Sequence, residues 1–230
     1  MRLHGRGREV VKTARGEVEI DVYGEETVQG RRYSTLCECK YWQSAVPQAV
    51  IHSFRTVIGD IGVNKGYIIS KSGFQSGSFS AAELTNVELA TWDQFQAAFE
   101  KSWLENYFSP HITERLDPLL SYAEPILPAW FGDLPEPDKE EFMSLKEKYD
   151  EFGWFVMSLA TYSRMIRKQG YPALPLAAHK EYAKLLSNAP REIVEARGYR
   201  ELLRSCIVYG EQAIKEFRAI RDRNNLKGGE

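Results

Sequence analysis

The spacing between apolar residues changes near residue 100, from two to three and four, and that change divides the chain into two kinds of structure. In 17–23, Glu-Val-Glu-Ile-Asp-Val-Tyr, acidic and apolar residues alternate over the first six positions, which is the period of a half-buried strand. Segments 9–13 and 33–42 read as strands beside it, with polar Gly24 to Arg32 as the hairpin connection. In 45–61, Val46, Val50, Phe54, Val57 and Ile61 recur at three and four, an amphipathic helix that tolerates Pro47 in its first turn. A strand at 65–70, a loop at 71–77, a helix near 78–84 and a strand at 86–89 complete the order ββ(β)αβαβ. The expected fold class is therefore an α/β sheet domain over 1–95, followed by a mainly α-helical domain over 96–230. Helices are expected from Trp92-Asp93 to about Tyr107, over 138–169, over 177–187 and from Pro190 to about Asn224. Six of the ten prolines fall from Pro110 to Pro137, so the stretch around 108–137 is predicted to be a linker or a broken helix pair. The tail 225–230 is expected to fray.

Composition excludes several classes. The chain has 230 residues and is 43% hydrophobic, too apolar for a wholly disordered protein. It has no run of about 18 apolar residues, so no membrane partner is expected. Met1 to Arg8 is basic with no apolar stretch behind it, unlike a secretory signal. Cys37, Cys39 and Cys206 cannot all pair, and the expected setting is reducing and cytoplasmic. The formal net charge is -2; residues 1–99 carry 11 Lys+Arg and 11 Asp+Glu, and residues 100–230 carry 19 and 21. Neither half has the basic excess of a protein that wraps nucleic acid. A nucleic-acid site would have to be a local patch, or use metal ions to meet phosphate charge.

The chemistry-bearing residues lie in the first 40. Residues two apart on a strand face the same way, so Glu38 and Lys40 share one face, and Glu19 and Asp21 share a face on the strand before. If the strands are neighbours, two or three carboxylates and a lysine converge. Carboxylates hold Mg²⁺ (or Mn²⁺) as hard oxygen ligands, and a lysine beside them can position an attacking water or offset charge on a phosphoryl group. That set suits hydrolysis of a phosphodiester.

Asp21 followed after a hairpin by Glu38-x-Lys40 resembles the D…(D/E)xK signature of restriction-endonuclease-like nucleases. Val18-Glu19-Ile20-Asp21-Val22, Cys37-Glu38-Cys39-Lys40-Tyr41-Trp42, the helix ending Phe54-Arg55-Thr56-Val57-Ile58, Gly62 to Ser70, and the loop Ser72-Gly73-Phe74 resemble, in that order, the Mrr-type restriction endonuclease domain over roughly residues 8–95. The resemblance implies an α/β restriction-endonuclease-like sheet domain, a divalent metal, DNA as the cleaved substrate, and a role in restriction or defence against foreign DNA. Asp21 and Glu38 then resemble the metal ligands and Lys40 the catalytic lysine, with Glu19 as a candidate third ligand. Gln48, Lys71, Ser72 and Gln75 are candidate substrate contacts. Such domains usually begin with a helix, whereas seven residues precede the first strand here. The true start lies upstream, another chain supplies the packing, or the core is trimmed. A homo-oligomer or a partner subunit, engaged through the helical domain, is expected accordingly. The helical half resembles nothing nameable.

Other readings of the same residues stand beside these. The domain could be a nuclease fold kept only for nucleic-acid or protein binding, or an RNase-like toxin. Cys37 and Cys39, with no second Cys or His pair nearby, read as core thiols rather than zinc ligands. His52, on the helix after the Glu38-x-Lys40 strand, reads as a surface or satisfied histidine, with an approach to the site as the other reading. The aromatic clusters at Trp103, Tyr107 and Phe108 and at Phe152, Trp154 and Phe155 read as core or interface, with a stacking platform for unpaired bases as the other reading. The basic runs Arg164–Lys168 and Arg218, Arg221 and Arg223 read as helix ends and solvated faces.

Overall fold

The computed structural model describes residues 4–123 and 127–226. The ends of the chain and Pro125, part of the proline-rich stretch, lie outside the described residues, as does most of the tail expected to fray. The chain divides into two compact units, Met1–Lys101 and Ser102–Glu230.

The first unit is built on a five-stranded mixed sheet in sequential order. Strands β1 (His4–Thr13), β2 (Gly16–Val28) and β3 (Arg31–Lys40) are antiparallel. Strands β4 (Lys65–Ser70) and β5 (Val87–Thr91) run parallel to β3. The β2–β3 connection is tighter than the polar stretch suggested. Val28 pairs with Arg31, leaving Gln29 and Gly30 as a two-residue turn with φ of 49° and 77°, the left-handed pair that suits a twisted hairpin.

Parallel pairing requires a crossover, and α1 (Gln48–Ile61) and α2 (Ser76–Ala82) provide two. Ile51, Phe54 and Ile58 of α1 pack with Leu36, Ile68, Ala81 and Val87 into one core. Gly66 lets α1 approach β4: a Cβ there would lie 2.2 Å from Ile58 Cδ1 and 2.8 Å from Phe54 Cε1. On the other face Tyr67 meets Phe95 and Phe99 of α3 (Trp92–Trp103) edge-on, with centroids 5.3 and 5.5 Å apart. That helix opens with a capping box. Gln94 N–H donates to Thr91 Oγ1, and Thr91 N–H donates to Gln94 Oε1, so the cap is Thr91 rather than Trp92-Asp93.

The second unit is helical. A π-helical turn (Leu104–Phe108) leads into α4 (Ser109–Ala123). The proline rule fails here, because Pro110 and Pro118 both lie in α4. A mid-helix proline costs about 3 kcal/mol. Ile112, Leu116 and Leu119 are each fully buried on this helix, and a buried side chain of that kind contributes about 1.5–3 kcal/mol, so packing outweighs the missing hydrogen bond. Helix α5 (Glu136–Leu159) stops ten residues short of the expected end. Thr161 N–H is taken by Thr113 Oγ1 on α4, and Ser163 Oγ caps the separate α6 (Arg164–Gln169) by accepting from Met165 N–H. The expected helix over 177–187 is α7 (Lys180–Leu185) behind a 3-10 turn. The one expected from Pro190 is α8 (Arg191–Val194) and then α9 (Tyr199–Arg223), parted near Gly198. Phe108, Phe142, Tyr149, Phe155, Cys206 and Phe217 are among the side chains buried at the centre. Phe152 is buried too, whereas Tyr107 and Trp154 are exposed and do not belong to the core. Among the described residues no helix is long and apolar enough to cross a membrane.

Candidate active site

The β2–β3 ladder ends at Val22 opposite Cys37. One step further Asp21 and Glu38 would face each other, and there the strands part. The Cys39 amide is instead taken by the Asp21 side chain, which accepts through Oδ2 at 2.7 Å. A carboxylate thus completes the backbone hydrogen bonding at the point where the sheet opens.

Local backbone geometry sets that point. The residues of β2 packed on the α1 side are Val18, Ile20 and Tyr23, spaced by two and then three, and Val22 pairs with Cys37 on the other face, so the alternation breaks at Ile20–Asp21. Opposite the break lies Arg8, which has φ of 26° and is skipped in the β1–β2 register. Such irregularities re-aim side chains at strand ends. Grouping Glu19 with Asp21 by the rule of two therefore fails. Asp21 turns toward β3, while Glu19 lies 3.9 Å from Arg8 in an exposed ion pair.

Glu38 and Lys40 occupy the β3 face that continues from buried Leu36. Their register partners on β4 are Ile68 and Ser70, so both sit where the parallel strands end, and ligands in parallel sheets gather beyond that end. Lys40 Nζ donates to Glu38 Oε1, and both side chains are about four-fifths shielded from solvent (19% and 22% exposed). Asp21, Glu38 and Lys40 all act on the Cys39 thiol. Partial shielding first, then the two carboxylates, push its pKa above the ordinary thiol value, and Lys40 opposes them. Cys39 is therefore an exposed neighbour of the site and not a core thiol, whereas Cys37 and Cys206 are buried.

Two loops close this end of the sheet. Lys71 N–H donates to Lys40 O, Val46 N–H to Gly73 O, and Gln75 N–H to Val46 O. Ser72 Oγ donates to Trp42 O at 2.6 Å. Lys71 and Ser72 thus lie beside the end of β3. Gln48, at the start of α1, pairs with His52 at 3.0 Å, so His52 serves a helix-surface contact. Gln75 precedes α2. Tyr41 and Trp42 were expected in the strand but follow it, and their exposed rings belong to this loop region. Strand periodicity hid them, and no sequence signal marked Arg8.

The donor set fits a hard divalent cation. Asp21 Oδ1 and Glu38 Oε2 have no protein hydrogen bond among the described residues. Two carboxylates with water filling the remaining positions is how Mg²⁺ is commonly held. Among the described residues no group of three or more His, Cys, Asp or Glu side chains is assembled as a metal cage.

Residues 1–99 match the Mrr catalytic family model, described as restriction endonuclease. No curated protein matches the chain. Among solved structures it is similar to the crystal structure of protein of unknown function AF1548, at 14% identity over 93% of this chain and 90% of that one. The TM-score of that match is 0.35, too low to inform fold or activity. With the mixed five-stranded sheet and the match over its whole extent, residues 1–99 are similar to the Mrr-type restriction endonuclease family, on a sheet consistent with a restriction-endonuclease-like fold.

Proposed function

We propose that this chain is a metal-dependent endonuclease that hydrolyses DNA phosphodiester bonds in the cytoplasm, in restriction or another defence against foreign DNA. The observation that carries the reading is the convergence of Asp21, Glu38 and Lys40 around Cys39 at the open end of the β2–β3 ladder. Asp21 and Glu38 would hold Mg²⁺ or Mn²⁺ through their free oxygens, and Glu19 could join them only by leaving Arg8. The cation, when bound, supplies Lewis acidity and lowers the pKa of its water. The chain's own residues do the rest. Glu38 keeps Lys40 Nζ directed into the site, where the ammonium orients the attacking water and offsets charge on the phosphoryl oxygens. Asp21 accepts from the Cys39 amide and so ties the end of β3 to β2 beyond the last ladder pair. Gln48, Lys71, Ser72 and Gln75 contact the DNA backbone from the surrounding loops. The helical unit engages a second copy, a partner subunit or a feature of the target.

The test is plasmid cleavage with Mg²⁺ or Mn²⁺, comparing wild type, Asp21→Ala and Lys40→Ala, with EDTA as control. Nicking or linearisation is expected in the wild type, falling about a hundredfold or more in each variant and vanishing in EDTA. The neutral charge of residues 1–99 favours a second reading, a nuclease fold kept for binding. Cleavage that is absent from every lane, together with absent metal binding, would select it. RNA in parallel reactions tests the RNase alternative.

A further inference from the structure

We propose that Tyr41 and Trp42 form a stacking surface for an unpaired base, so that the substrate class is DNA with an unpaired nucleotide beside the cleaved phosphodiester. This rests on the nuclease reading above. The two rings directly follow Lys40 in the chain. Tyr41 is 78% exposed and Trp42 41% exposed, so the core does not account for them. Both sit on a fastened loop, because Ser72 Oγ holds Trp42 O and Lys71 N–H holds Lys40 O at 3.1 Å. Each ring also carries a cation. Lys71 Nζ lies 4.2 Å from the Tyr41 centroid and Lys40 Nζ 5.3 Å from the Trp42 centroid, within the range of cation–π attraction. With Lys71 on one side of Tyr41 and most of the residue in solvent, a ring face is left open beside an ammonium.

A ring beside a cation matches a nucleotide, which offers a flat base next to a phosphate. Proteins that hold single strands combine these elements, stacking on the bases and meeting the backbone with positive charge. A fully paired duplex presents no free base face, because each base is covered by its neighbours. Only an unpaired or extruded base can lie on Tyr41. The charge balance agrees. Tracking duplex phosphates takes many Lys and Arg contacts, and residues 1–99 carry 11 Lys+Arg against 11 Asp+Glu. Stacking supplies affinity that does not need a basic surface.

The experiment uses the full chain in EDTA, so that binding is read without cleavage. Fluorescence anisotropy is measured with three probes: a single-stranded oligonucleotide, the matching duplex, and a duplex with one bulged 2-aminopurine. The wild type is expected to prefer the single strand and the bulge, and to quench 2-aminopurine on binding. Tyr41→Ala is expected to lose about fivefold or more in affinity for those two probes, with duplex binding unchanged and quenching reduced. Tyr41→Phe, which keeps the ring, is expected to restore both. Equal affinity for all three probes, or Tyr41→Ala indistinguishable from wild type, would overturn the proposal. Lys40-dependent cleavage of plasmid alongside an unaffected Tyr41→Ala would remove the stacking surface and keep the nuclease. Tyr41-dependent binding with no cleavage of any DNA would do the reverse.

Discussion

Cys39 reports on the site without taking part in it. Partial burial first, and then the Asp21 and Glu38 carboxylates near its thiol, disfavour the thiolate, so its pKa stands above the ordinary value of 9.0. Removing one carboxylate lowers that pKa. Asp21→Asn is therefore expected to speed alkylation of Cys39 at pH 8–9 and to move its pH–rate profile toward acid. Mass spectrometry of labelled peptides would read this. Burial first, and then Cys39, push Cys37 up to about 12, and burial raises Cys206 as well, so both should label slowly in either protein. An unchanged Cys39 profile would place Asp21 away from the thiol and undo the geometry of the site. Of these residues, Glu38 and Lys40 were legible because an x separates them on one strand. Asp21 was named with them, but not how it meets β3, because its direction depends on a break in β2 opposite Arg8, a residue whose type carries no signal for φ of 26°.

At the scale of elements, two helical glycines should respond in opposite ways. Gly59 in α1 has nothing within 4 Å of where a Cβ would stand. Gly59→Ala is expected to stabilise by roughly 0.5–1 kcal/mol, because alanine loses less backbone entropy in a helix. Gly210 lets α9 meet α4: a Cβ there would lie 2.6 and 3.0 Å from the methyls of fully buried Leu116. Overpacking costs about 1–3 kcal/mol, more than the gain in propensity, so Gly210→Ala should lower the melting temperature. Thermal denaturation of the two variants checks both signs. Periodicity revealed α1, β4 and most of α5 and α9, because burial on one face writes itself into residue spacing. Helix ends were less legible. The stop of α5 depends on Thr113 of α4 reaching Thr161, a partner almost fifty residues away in sequence. The persistence of α4 through Pro118 depends on the depth of its burial.

At the scale of the whole molecule, charge is balanced and polar networks replace bulk electrostatics. In the helical unit Asp138 accepts hydrogen bonds from Asn224 and Arg223, and Arg223 also pairs with Glu141. These partners, Asn224 first and then Arg223, hold the Asp138 carboxyl below its ordinary 3.8. A carboxylate with a depressed folded pKa stabilises above its unfolded pKa, and that contribution is lost as pH falls through the folded value. The melting temperature of Asp138→Asn should thus lie below that of wild type at pH 6, with the gap closing as pH falls below the ordinary 3.8 and through the depressed folded value, where the wild-type carboxylate protonates. Melts at pH 6 and in acid test this, and a gap that persists in acid would mean that charge is not the cause. These contacts tie the start of α5, which has no side-chain cap at Pro135, to the end of α9, where Asn224 also donates to Ile220 O.

The order of the strands and the division near residue 100 can be read from the residues alone, as can the residue types proposed for the site. Those properties follow from local periodicity and from the chemistry of individual side chains. Only the tertiary structure decided which of those residues meet. The separation of β2 from β3, the turn of Asp21 toward the Cys39 amide, the withdrawal of Glu19 to Arg8 and the exposure of Tyr41 and Trp42 all depend on strand register and loop packing. Register and packing are minima of the whole unit, summed over contacts between residues distant in the chain, and no window of sequence contains them.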